Sequence, residues 1–251
     1  MAKDELATAA RQLVAPPGRM LRATLGTNDR GSFDAENILF YNVGPAAFGR
    51  CTQDGLAFSL TGLVAEAGFR YVHRYDIVPM EPHPSGQPSL SFQVPKLNSG
   101  TSVDSIWWAA HCGLRTPSLP VPGPFRLSLS LSGVRPTPSL AVVMKSLVDG
   151  VVAALHSSPA ADSTCISLLA KKLGRSEAEA DDTLRRSAGT PLGPQRLLHA
   201  FRGFVKWNPA DDRCVECSLQ WTEGHQGSGT TIDVFLKPVP SPVSTFELER
   251  V

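Results

Sequence analysis

Phe125-Arg126-Leu127-Ser128-Leu129-Ser130-Leu131-Ser132 alternates apolar and polar residues without interruption, and a turn-rich stretch from Gly133 to Pro138 leads from it into Leu140 to His156. Side chains two apart share one face of a strand, so the first run predicts a strand with its leucines inward. In the second run Val143, Leu147, Val151 and Leu155 recur at helical spacing, with Val148 and Val152 beside them, which predicts a well-buried helix. A half-buried strand feeding a buried helix sets the class as α/β or α+β, with a mixed β-sheet flanked by helices.

Working outward, Ser163 to Arg186 reads as two helices split at Gly174-Arg175, the second opening with Ser176 and Glu179 in capping-box spacing. Strands are expected at Arg213 to Trp221 and Thr230 to Lys237, joined by Gly224 to Gly229. On the other side, a short helix ends at Pro16-Pro17-Gly18, and strand-like segments follow at Met20 to Leu25, Ile38 to Val43 and Phe69 to Val78. Pro79 to Gly100 carries five prolines and reads as an extended loop between lobes. The expected organisation is an N-terminal α/β lobe over residues 1–100 and a second region over 101–251, with a helical insertion near 157–206.

Composition narrows the function classes. The 251 residues are 42% hydrophobic and 19% charged, which excludes wholesale disorder. With 24 Lys and Arg against 23 Asp and Glu, the formal charge of +1 means that nucleic acid would have to be met by a local basic patch. The first residues lack the apolar run of a secretory signal, so a cytoplasmic protein is expected. Leu140 to Leu155 is broken by Lys145 and Asp149 and is too short to cross a bilayer, so no membrane partner is expected. Five cysteines make reduced thiols the default. The alternation around Cys214 and Cys217 sends their thiols to opposite faces of a strand, which argues against a zinc pair.

The order of motifs from Phe125 to Trp221 resembles the RusA-like family of Holliday-junction resolvases. That family's pattern is Pro-Asp-x-Asp-Asn, then a Lys and an Asp four apart on a helix, then a short Asp-Asp-x-x-Val entering a strand. Pro138, Lys145, Asp149, Asp211, Asp212 and Val215 stand at the matching places. The resemblance implies a Mg²⁺-dependent endonuclease of dimeric habit, with Asp211, Asp212, Asp149 and Lys145 in the catalytic centre. The family's first two aspartates and its Asn are replaced by Ser139, Ala141 and Val142, which offer no carboxylate to a hard cation. The reading that follows is a fold kept with its chemistry impaired. Such a protein would need no cofactor, would bind DNA or a protein partner, and would form a homodimer by analogy.

Asp34-Ala35-Glu36-Asn37 repeats the acid-x-acid-Asn spelling elsewhere. If Asp34 and Glu36 came within about 5 Å of Asp211 or Asp212, the metal ligands would be restored and an active Mg²⁺-dependent nuclease becomes the alternative. Each residue also has a plainer use: Lys145 with Asp149 as a surface ion pair, Asp34 with Asn37 as a solvated turn. Nucleic-acid binding would call on Arg135, Lys145, Arg202 and Lys206 as one basic face. The second helix of the Ser163 to Arg186 pair carries Glu177, Glu179, Asp181 and Asp182 near its start. That charge opposes phosphate and suits a partner-binding hairpin better than a DNA-reading unit. A soluble interaction module unrelated to nucleic acid is the third reading, since fold does not fix function.

Overall fold

The computed structural model describes residues 3–27, 34–61, 71–186, 188–223 and 228–240. Helix α1 (Lys3–Gln12) precedes β1 (Arg19–Thr27), β2 (Gly55–Thr61), β3 (Tyr71–Pro79) and β4 (Leu90–Val94). Next come α2 (Val103–His111), the short β5 (Leu114–Arg115), β6 (Phe125–Gly133) and α3 (Leu140–Ala154). The insertion holds β7 (His156–Ser157), α4 (Ser163–Leu173), α5 (Glu177–Arg185), β8 (Gly193–Pro194) and the hairpin β9 (Leu198–Phe201) with β10 (Phe204–Trp207). Strands β11 (Cys214–Trp221) and β12 (Thr230–Pro238) complete the described chain. This is a mixed α+β fold, its eight-stranded sheet running β3-β1-β2-β11-β6-β12-β4-β5.

Two pairs in the sheet are parallel, β1 with β2 and β6 with β11, and the rest are antiparallel. Parallel neighbours need a crossover connection, and these two crossovers carry the residues of interest. The first holds the helical turns Asn37–Tyr41 and Pro45–Phe48; the second holds α3 and the insertion. Because β2 runs antiparallel to β11, the end of β1 and the start of β11 lie at the same end of the sheet. Asp34, after β1, and Asp211, before β11, are therefore delivered to one place by topology.

Burial follows the expected periods. Along β6 Phe125, Leu127, Leu129 and Leu131 are buried, and α3 is buried along most of its length, as its apolar sequence demands. Helix α3 packs against α2 and over β2. Gly150 lets α2 approach, since a Cβ there would meet Ile106 at 2.6 Å. The insertion is docked by buried Asp104 of α2, which accepts from Trp207 Nε1 at 2.7 Å and pairs with Lys172 of α4 at 2.5 Å. Ser176 and Glu179 form the expected capping box, Gly174 ends α4 in the left-handed region, and Arg185 and Arg186 pair with Asp181 and Asp182.

Several expectations are corrected. Ile38 to Tyr41 is a helical turn, not a strand: Leu39 and Phe40 are buried while Tyr41 is exposed, a helical rather than a two-residue pattern. Pro79 to Gly100 contains β4, which fills the place between β12 and β5, so this stretch joins the sheet. Strands from both sides of residue 100 alternate in that sheet and share one hydrophobic core, so no break in it coincides with the expected lobe boundary. A β-bulge between Cys214 and Glu216 shifts the alternation by one residue, leaving Cys214 and Cys217 both buried and their side chains neighbours. The expected strand start at Phe69 and the turns at Gly31 and Gly224 lie outside the described residues. No helix among them is long and apolar enough to cross a membrane.

Candidate metal centre

Asp34 lies in the first crossover, ahead of the helical turn Asn37–Tyr41. Its carboxylate accepts from the backbone N–H of Asn37 at 3.2 Å and from the Asn37 side-chain amide, so Asn37 orients it. Glu36, in the same turn, is 1% exposed. The turn is held to the sheet by Tyr75 of β3, whose hydroxyl donates to the Leu39 carbonyl at 2.5 Å. Phe40, Phe48 and Tyr75 pack around that bond, with ring centroids 5.0 Å (Phe40–Phe48) and 5.2 Å (Phe48–Tyr75) apart.

Helix α3 presents Lys145 and Asp149 one turn apart. Lys145 Nζ lies 2.9 Å from Asp34, 3.2 Å from Glu36, 3.2 Å from Asp149 and 4.0 Å from Asp211. Asp211 comes from the single helical turn Asp211–Arg213 that enters β11. Carboxylate oxygens of Asp34, Glu36 and Asp211 all lie within 4.8 Å of one another. Of the matched residues, then, Lys145, Asp149 and Asp211 meet, and Asp34 and Glu36 join them. Asp212 follows Asp211 in the same turn but is outside the trio. The surface-pair and solvated-turn readings of Lys145, Asp149, Asp34 and Asn37 do not describe this half-buried network.

Burial and mutual repulsion set the protonation. Burial first, then the neighbouring Asp34, pushes Glu36 well above the usual carboxylate range. Burial alone would raise Asp34 as well, but the hydrogen bond from Glu36 and the charge of Lys145 hold it below its ordinary value. Asp211 is raised to about 8 by burial and then by Asp34 and Asp149. Asp149 is also raised, chiefly by burial and against the pull of Lys145, and it shares a hydrogen bond with Asp211. Lys145 is pushed up: burial opposes this, and Asp149, Glu36 and Asp34 outweigh it. In the metal-free cluster burial and repulsion thus drive Glu36 and Asp211 towards their protonated forms, facing Asp34 and Asp149, around the ammonium of Lys145.

Three oxygen donors this close fit a hard divalent cation such as Mg²⁺, which takes carboxylates in small number and keeps waters. Full ionisation without a cation would cost roughly 3 kcal/mol per carboxylate pair at an effective dielectric of about 20. Beside the trio runs a groove of about 670 Å³ whose walls include Glu36, Asn37, Tyr41, Met144, Lys145 and Asp149. Ser139, Ala141 and Val142 begin α3 and bring no carboxylate; the acids come from the other crossover instead.

The four basic candidates do not make one free patch. Lys145 is committed to the carboxylates, and Arg135 donates to Asp54 at 2.7 Å and lies over Trp221. Arg202 stacks on Phe201 at the turn of the β9–β10 hairpin, and Lys206 sits on β10. Sequence reasoning named the acids but missed what seats them, Tyr75 and the Phe40–Phe48 pair. The signal available was only an aromatic in an edge strand. Comparison with family models, with curated proteins and with solved structures found no match.

Proposed function

We propose that this chain is a divalent-cation-dependent phosphodiester hydrolase acting on nucleic acid, with Asp34, Glu36 and Asp211 holding the metal ion. The single observation that carries the reading is the convergence of three carboxylates within 4.8 Å around Lys145, from two separate crossovers. The resemblance of Lys145, Asp149 and Asp211 to the RusA-like pattern supplies the substrate class, with branched DNA the first to test. A bound Mg²⁺ would polarise a phosphoryl oxygen and lower the pKa of an attached water.

The chain's own residues do the rest. Asn37 fixes Asp34, and the helical turn on Tyr75 fixes Glu36, so the donors are in place before metal arrives. With Asp34 and Glu36 on a bound cation, Lys145 would keep Asp149 as its partner, and its ammonium, which lines the groove, would be placed to offset charge on a phosphoryl oxygen. Asp149 serves as a positioning residue for that lysine.

The test is cleavage of branched and linear DNA with Mg²⁺ or Mn²⁺, comparing wild type with Asp34→Asn, Asp211→Asn and Lys145→Gln. Metal-dependent cutting that falls at least ~100-fold in each variant supports the reading, the size expected when a transition-state contact is lost. Salt-sensitive binding without cutting would overturn it in favour of a nuclease fold kept for binding or assembly. Neither activity would leave the interaction module.

A further inference from the structure

On elements apart from the carboxylate cluster, the end of α2, strand β5 and the C-cap of α5 bring His111, Arg115 and Arg186 to one cavity of about 370 Å³. That volume is at the lower end of small-molecule sites. Arg115 is held by backbone: Nη1 donates to the Gly189 carbonyl at 2.6 Å and Nη2 to the Ala154 carbonyl at 3.0 Å. Gly189 has φ +71° and a Cβ there would meet Arg115 Cδ at 2.9 Å, so the side chain lies across bare backbone. No carboxylate pairs with Arg115 or lines this cavity among the described residues. Arg186 has one acidic partner, Asp182 at 3.3 Å, and both are well exposed.

His111 is 7% exposed, and its Nε2, like Arg115 Nε, is buried with no hydrogen-bond partner. Its Nδ1 faces Arg115 Nη2 at 3.4 Å. Burial, then Arg115 and Arg186, drives His111 to about 3, and burial, then Arg186, lowers Arg115 to about 10. The two guanidinium charges therefore act on one another across a site with a deficit of negative charge. Arg115 Nη2 is taken up by the Ala154 carbonyl and His111 Nδ1 and its Nε is buried, so Arg115 offers a phosphate oxyanion a fixed charge and the second N–H of Nη1, while the exposed Arg186 supplies the guanidinium fork.

We propose that Arg115 and Arg186, with His111 and Thr116 lining the same cavity, bind a phosphate group borne by a small molecule or free as inorganic phosphate. The site is independent of the carboxylate cluster, and EDTA keeps any metal-bridged phosphate out of the measurement. Calorimetric titration of the full chain in EDTA, with inorganic phosphate and separately with adenosine 5′-monophosphate, tests it. Saturable one-to-one binding of either with a dissociation constant below about 1 mM is expected. Arg186→Gln, at an exposed position, should weaken it about tenfold, the worth of one charge-assisted contact. Asp182→Asn, which frees Arg186, should tighten it. Tighter binding of the nucleotide identifies a phosphate ester as ligand; equal binding identifies inorganic phosphate. No saturable binding of either probe, or binding unchanged in Arg186→Gln, overturns the proposal.

Discussion

At Lys145 one ammonium meets four carboxylates, and the chemistry of the site turns on how that excess of acid is resolved. Without metal it is resolved by protons on Glu36 and Asp211. A cation must displace them, so divalent affinity should rise with pH up to about 8, where Asp211 titrates, and proton release should accompany binding. Calorimetry in two buffers of different ionisation enthalpy measures that release. A binding heat independent of buffer would contradict it. Lys145→Gln leaves the buried acids without their cation and should lower metal-free stability by about 3–5 kcal/mol, as breaking a buried pair does. Denaturant unfolding reads it. The acids themselves were legible in the sequence as an acid-x-acid-Asn spelling and an Asp-Asp turn. Their protonation was not, because it depends on burial that only the fold creates.

Elements position these residues, and their sequence signals were uneven. The β6 strand, helix α3 and the capped pair α4–α5 were legible because period and caps agree. The turn after Asp34 was misread as strand because Ile38, Leu39, Phe40 and Tyr41 are four bulky residues in a row, which fits either period. The bulge that brings Cys214 and Cys217 together leaves no trace in composition. Tyr75→Phe removes the hydroxyl that ties the turn to β3. It should cost about 1 kcal/mol and weaken metal binding, since Asp34 and Glu36 ride on that turn. Unchanged metal affinity in a folded Tyr75→Phe would detach the turn from the site. At Gly150 propensity and packing disagree. Alanine favours a helix by up to ~1 kcal/mol, yet its Cβ would press on Ile106. Packing should win: Gly150→Ala is expected to destabilise by about 1–3 kcal/mol in chemical denaturation, as overpacking does.

Across the whole molecule, strands from both halves interleave, so unfolding should be one cooperative transition. A fragment of residues 1–100 would leave β2 without β11 and β4 without β12, and should remain unfolded by circular dichroism. The lobe boundary expected near residue 100 rested on prolines, which mark loops and not the long-range pairing that builds a sheet. Stability against pH follows from the buried groups. His111, lowered to about 3, and His156, lowered to about 4, stay neutral in the native state, so their contribution is lost as pH falls below about 6.5. Asp211, raised to about 8, binds its proton more tightly in the native state, so its contribution is lost as pH rises towards 8. Glu36, raised well above its ordinary value, acts in the same direction as Asp211, so thermal stability of the metal-free protein should fall as pH rises from about 6.5, where the histidines no longer oppose it, towards 8. Its decline up to pH 8 should be flattened by Mg²⁺ or by Asp211→Asn, which differential scanning fluorimetry reads.

Mn²⁺ located by anomalous scattering in crystals of the full chain, paired with Mn²⁺ titration of wild type and Asp211→Asn, tests the metal centre most directly. The account predicts one ion bound by Asp34, Glu36 and Asp211, and affinity lost in the variant. An ion elsewhere, or Lys145 still held by all its carboxylates at saturating Mn²⁺, would contradict it.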